Sequence, residues 1–198
     1  MIKRIVENMH MAVVGFDPET QLRIQDTWRE QVRVPLLPNL FCDHVTLEYQ
    51  PAPRLADALT PLSGLEVDFH VLSVAFDSRG QVMIGTVEPS GTGTRQAQPF
   101  EDEEKFEDFM DLRTPVEASH EEHITAFHAT IATADGVPPK YSNQLIANSV
   151  KDGTLWHGSY REDQPYPRVL ELDFQDEFVI ATFTGTVGLI WNTRTEQV

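Results

Sequence analysis

Cysteine is nearly absent. Cys42 is the only one among 198 residues, which excludes an internal disulfide framework and fits a reducing compartment. Long apolar runs are missing too: no stretch of about 18 residues could cross a bilayer as a helix. The opening MIKRIVENMHMAVV has too short an apolar run for a secretory signal, so a cytoplasmic location without membrane contact is expected. Basic residues are scarce. Fifteen Lys and Arg stand against 31 Asp and Glu, a net charge of −16, and no Lys/Arg cluster relieves it. Such a surface repels long RNA or DNA and leaves a small nucleotide or oligonucleotide, or the end of a nucleic acid, as the easier ligand. No fixed-period repeat or low-complexity tract occurs, and nothing implies an obligate protein partner.

Hydrophobic residues make up 40% of the chain, enough for a sizeable core in one ordinary domain or one bilobal unit. Against that background His128-Ala129-Thr130-Ile131 stands out. A histidine and a threonine two residues apart on an alternating apolar run point to one face of a strand. His44-Val45-Thr46-Leu47 repeats the arrangement. With 7 His and 17 Thr in the chain, chance gives roughly 0.6 His-x-Thr triplets; three occur, at 44–46, 123–125 and 128–130. Two lie in apolar, strand-like runs that lead into proline-marked turns, Gln50-Pro51 and Gly136-Val137-Pro138-Pro139. Two such strands side by side offer two imidazoles and two hydroxyls to one cleft, enough to hold a phosphate and move protons on both sides of it.

The two blocks, DHVTLEYQP at 43–51 and HATIATADGVPPKYSNQLI at 128–146, resemble the motifs of the two-histidine (2H) phosphoesterases, nearest to the cyclic phosphodiesterase branch seen in RNA-repair and tRNA-ligase proteins. MAVVGFDPETQLRI looks like that family's opening strand and helix, and TFTGTVGLI like its closing strand. The resemblance implies an α+β fold in which two antiparallel sheet lobes, with flanking helices, enclose a central cleft. It implies one such bilobal domain over 1–198, carrying an acidic insert at about 93–118. It further implies a hydrolase that needs no cofactor or metal, with His44 and His128 catalytic and Thr46 and Thr130 on the phosphate. His123 and Thr125 are the alternative second pair. Strand parity puts them on the opposite face from His128 and Thr130 if the strand is continuous. Counting back from the Gly-x-x-Pro turn favours His128, whereas HITA is nearer the bare motif because Ala129 is smaller than the usual branched residue.

In chain order, 11–16 reads as a short buried strand, and Asp17-Pro18-Glu19 starts a helix reaching about residue 32. In the strand 43–49, His44, Thr46 and Glu48 share one face. A short helix at 54–64 precedes a half-buried strand at 65–76, which turns at Asp77–Gly80 into a second at 81–89. Phe106, Phe109 and Met110 lie at helical spacing under seven carboxylates between 101 and 111, a surface helix or an acidic lid. The second motif strand is expected at 123–133, and Ser142-Asn143 should cap a helix to Asn148 or Val150. A loop over 151–167 and a terminal hairpin, 169–174 with 178–191, complete the chain.

Lys140 and Tyr141 lie next to the second motif and could touch a phosphate or a base; Trp156, beside His157, could stack on a nucleobase. For all of these a plain loop position is the alternative. His120 and His123 at i, i+3, without a third ligand near them, make a weak case for metal. Cys42 has no basic neighbour and reads as an inert buried thiol. The chemistry expected is hydrolysis of a 2′,3′-cyclic phosphate on a nucleotide or RNA end, one histidine as base and the other as acid. A 2′-5′-linked or cyclic oligonucleotide messenger, or a cyclic phosphate of ADP-ribose, would suit the same chemistry. A nucleotide-phosphate binding module without catalysis would use the same side chains.

Overall fold

The structure is a computed structural model that describes residues 3–91, 99–113, 127–156 and 179–197. Strand β1 (Lys3–Gly15) leads into α1 (Pro18–Thr27), which continues as a π-helical turn over Trp28–Val32. Then come β2 (Asn39–Leu40), β3 (His44–Tyr49) and α2 (Pro53–Leu59), the last prolonged by a 3-10 turn, Thr60–Leu62. The hairpin β4 (Glu66–Phe76) and β5 (Gly80–Pro89) is followed by α3 (Pro99–Arg113), β6 (Phe127–Thr133), α4 (Tyr141–Asp152) and β7 (Ala181–Gln197). No described helix is long and apolar enough to cross a membrane.

The α+β class is the expected one. The sheet order is β2-β6-β3-β1-β7-β4-β5, and β5 also pairs with β6. Six antiparallel strands, β6-β3-β1-β7-β4-β5, are thereby closed into a barrel. Two separate lobes were expected from the resemblance; the described strands form one sheet, because β6 is hydrogen-bonded along both edges. One ring of buried apolar side chains runs round the interior. Val187 pairs with Val14, Val14 with Val45, Val45 with Ala129, Ala129 with Met83 and Met83 with Val74. Each is at most 2% exposed. Alternation along every strand sends the intervening residues to the outer face.

The helices follow from local chemistry. Asp17 accepts the Thr20 N–H at 2.7 Å, with Pro18 in the first turn, so α1 starts where its cap predicts. Ile24 and Trp28 from this helical segment join the barrel core, as do Leu59, Leu62, Phe106 and Phe109. The acidic run at 101–111 is thus helical, with Phe106 and Phe109 inward and Glu103, Glu104, Glu107, Asp108 and Asp111 exposed. Helix α4 sets Tyr141, Leu145 and Ile146 against Ala75, Val82 and Ile84 on the outer face of β4 and β5.

Three expectations are corrected. Ser142 and Asn143 do not cap α4: the N–H groups of Tyr141 and Ser142 already reach the Pro138 and Pro139 carbonyls, so the helix begins at Tyr141 with no side-chain cap. It runs to Asp152 and stops at Gly153, whose φ of 65° suits a residue without a Cβ. Strand β1 begins at Lys3 rather than near 11, because β7 supplies it a partner along its whole length. The expected strand at 169–174, most of the late loop, and both ends of the acidic insert lie outside the described residues.

Among the described glycines, Gly85 has the closest neighbour. A Cβ there would lie 1.8 Å from the His70 carbonyl oxygen, where β4 is irregular between Val71 and Ser73. Gly85→Ala should therefore lower stability by about 3 kcal/mol through overpacking, read as the urea unfolding midpoint. Gly91→Ala, whose Cβ would meet nothing within 4 Å, should change it by less than about 0.5 kcal/mol. Equal midpoints for the two variants would contradict this β4–β5 register.

Candidate active site

One cross-strand pair assembles the two motifs. Val45 and Ala129 face each other on antiparallel β3 and β6, both buried in the barrel. Their neighbours at 44, 46, 128 and 130 consequently share the outer face. Toward His44 the ladder is irregular: the Cys42 N–H reaches the Thr130 carbonyl, so His44 sits at a bulge between the β2–β6 and β3–β6 registers. His44 lies close enough to His128 for its charge to help lower the His128 pKa. Beside His44 on β1 stands Gly15, and beside Thr46 stands Val13, so no large side chain crowds His44 from that strand.

The two imidazoles have different surroundings. His44 is about one-third exposed (35%), and its Nδ1 lies 3.0 Å from the Asp43 carboxylate. That hydrogen bond holds the Asp43 carboxyl below its usual range, so Asp43 stays ionised and fixes an N–H on Nδ1. The other ring nitrogen, Nε2, is left as the working atom. The Phe16 N–H donates to the Asp43 carbonyl at 2.9 Å and anchors this corner to the start of α1. His128 is half-buried, and burial pushes its pKa down from 6.5 to about 4, helped by the charges of His44 and Arg113. It is a neutral base at physiological pH.

The threonines are held differently as well. Thr130 Oγ1 is 2.9 Å from the Ser142 Oγ in the first turn of α4; Thr46 Oγ1 makes a long contact of 3.9 Å with Met11 Sδ. Glu48, two residues beyond Thr46, meets Arg113 Nε at 3.7 Å. The Arg113 guanidinium also lies 4.1 Å from the centroid of Phe127, the residue before His128. Four residues that sequence reasoning did not single out for this site, Asp43, Glu48, Arg113 and Ser142, thus complete its surroundings. Asp43 was open to notice as the carboxylate preceding His44. Arg113 ends a helix of carboxylates, and its place beside β6 depends on how that helix packs.

The remaining candidates go elsewhere or are not described. The Tyr141 hydroxyl donates to Asp77 Oδ2 at 2.7 Å, and its ring lies under the Arg79 guanidinium at 4.3 Å. It ties α4 to the β4–β5 turn. Lys140 precedes α4 and is exposed. Trp156 is half-buried and bridges Val74 through its backbone, packed against the barrel core. Cys42 is fully buried with φ at 56°, its N–H bonded to the Thr130 carbonyl at 3.0 Å. Burial pushes its thiol up to about 12, out of reach of thiolate chemistry. His120, His123, Thr125 and His157 lie outside the described residues. Among the described residues no three His, Cys, Asp or Glu side chains converge as a metal site would require.

The low pKa of His128 has a stability consequence. In the folded chain the neutral form is favoured, so between pH 6.5 and about 4 the unfolded chain binds the proton and the folded chain does not. Stability should fall as pH drops through that window, by as much as about 3 kcal/mol at ~1.4 kcal/mol per unit. His128→Gln should remove this part of the pH dependence in urea titrations. The drop below 3.8 that comes from Asp43 should remain.

No protein-family model, curated protein or solved structure matches the chain significantly.

Proposed function

We propose that the protein is a metal-independent phosphodiesterase that hydrolyses a 2′,3′-cyclic phosphate on a nucleotide or an RNA end by two-histidine acid–base catalysis. The observation that supports this most directly is the Val45–Ala129 register, which sets two His-x-Thr motifs antiparallel on one outer face. In this reading β3 and β6 are the motif strands of two lobes that here share one closed sheet. The resemblance of the two blocks to 2H motifs agrees with it.

The roles follow from the surroundings. His128, kept neutral by burial, takes a proton from the attacking water. His44 carries the second proton, with the ionised Asp43 on its Nδ1 side, and gives it from Nε2 to the leaving ribose oxygen. A P–O bond to water forms as the P–O bond to one ribose oxygen breaks, and the product is a phosphomonoester with a free hydroxyl. Thr46 and Thr130 donate to the non-bridging oxygens as charge builds there. Ser142 can hand its hydrogen bond to Thr130 and so turn the threonine's own proton toward phosphate.

Four measurements test the reading. Turnover of a 2′,3′-cyclic nucleotide should survive EDTA, because proton transfer and hydrogen bonding supply the catalysis. His44→Ala and His128→Ala should each lower kcat by at least ~10²-fold, and the double variant should be scarcely worse than either, since acid and base act as a unit. Thr130→Val should raise the barrel-face barrier to reaction by roughly 2–4 kcal/mol. The acid limb of kcat/KM should lie near pH 4, the value set for His128, instead of near an ordinary histidine's 6.5. Full activity in well-folded His44→Ala or His128→Ala would sink the proposal.

A further inference from the structure

We propose that Arg113, carried on the acidic helix α3 and steadied by Glu48, binds the phosphate of the substrate, and that this helix restricts the substrate to a small phosphodiester. The inference rests on the phosphodiesterase reading and names its substrate class. The guanidinium is bracketed by the flanks of the two motifs: Glu48 stands two residues past Thr46, and Phe127 immediately precedes His128. Its Nε is 3.7 Å from Glu48 and the group sits 4.1 Å over the Phe127 ring. Only 23% of the Arg113 side chain is exposed, so its charge is screened less than that of a surface arginine. A guanidinium presents a planar fork of N–H donors that matches phosphate oxygens. Its place at the C-terminal end of α3 suits the negative end of the helix dipole. Glu48 acts through Arg113 and is a positioning residue.

The rest of α3 works against length. Glu103, Glu104, Glu107, Asp108 and Asp111 are exposed along the helix that ends at Arg113. At ~1.5 Å of rise per residue, Glu107 is only ~9 Å along the axis from Arg113, about one screening length at physiological salt. A single phosphodiester meets the cation first. Each further phosphate of a polymer running along α3 meets a carboxylate, on a chain whose net charge is already −16.

The test compares wild type, Arg113→Ala, Arg113→Lys, Glu48→Gln and a variant with Glu103, Glu104 and Glu107 changed to Gln and Asp108 to Asn. Substrates are a 2′,3′-cyclic mononucleotide and an RNA oligonucleotide ending in the same cyclic phosphate. Arg113→Ala should lower kcat/KM on the mononucleotide by about 10²-fold, with partial rescue by Arg113→Lys and a smaller loss in Glu48→Gln. Wild type should prefer the mononucleotide. The neutralised helix should raise kcat/KM on the oligonucleotide by roughly tenfold at low salt, leave the mononucleotide rate unchanged, and lose that gain at high salt. Activity in Arg113→Ala equal to wild type, with His44→Ala and His128→Ala inactive, would overturn the role of Arg113 alone. Equal wild-type rates on both substrates would overturn the size restriction. If wild type turns over neither substrate, the catalytic reading fails. Binding of a nucleoside 3′-monophosphate, followed by NMR, then decides for Arg113: weaker binding in Arg113→Ala supports it, and unchanged or undetectable binding overturns it.

Discussion

Everything at the site depends on β6 being hydrogen-bonded along both edges. On one side β3 sets Val45 opposite Ala129; on the other β5 sets Met83 opposite the same Ala129. A strand locked from two sides cannot slip by one residue without sending His128 and Thr130 into the barrel and two apolar neighbours out of it. The interior ring therefore specifies the outer face. Closure also removes β6 as a free edge, so a polar pair sits mid-strand without inviting another chain to pair there. α4 covers the adjoining outer positions with Leu145 and Ile146 and brings Ser142 to Thr130.

The antiparallel register makes the two motifs nearly equivalent, and the surroundings make them different. Two His-x-Thr pairs share one outer face, so the strands alone would not assign an acid and a base. Asp43 on one side and burial with Arg113 on the other break that equivalence. In the proposed reaction, the direction of proton flow is set by the residues around the two histidines.

How much of this was legible beforehand depends on distance along the chain. The Asp17-Pro18 start of α1, the shared face of His44 and Thr46, the Asp77–Gly80 turn and the helical spacing of Phe106 and Phe109 are local, and local chemistry reveals them. Barrel closure is not local. Alternation tells which residues share a face but not which strand lies alongside, so β5 beside β6 could not be read from either segment. Ser142 looked like a cap because serine before an apolar run usually is one; the proline carbonyls just upstream had taken that task. Tyr141 looked like a substrate contact because it follows the motif. Its hydroxyl meets Asp77, 64 residues away in sequence, a pairing only the packing of α4 decides.

Cys42 gives this architecture a built-in clock. The only thiol in the chain is sealed where the backbone steps from β2 to β3, its Sγ 3.5 Å from the Ile131 carbonyl and its backbone in a left-handed turn. Because Cys42 is fully buried, a thiol reagent can reach it only when the packing around that corner, two residues from His44, opens. The labelling rate of one sulfur thus counts how often the packing at the step from β2 to β3 opens, without any substrate present.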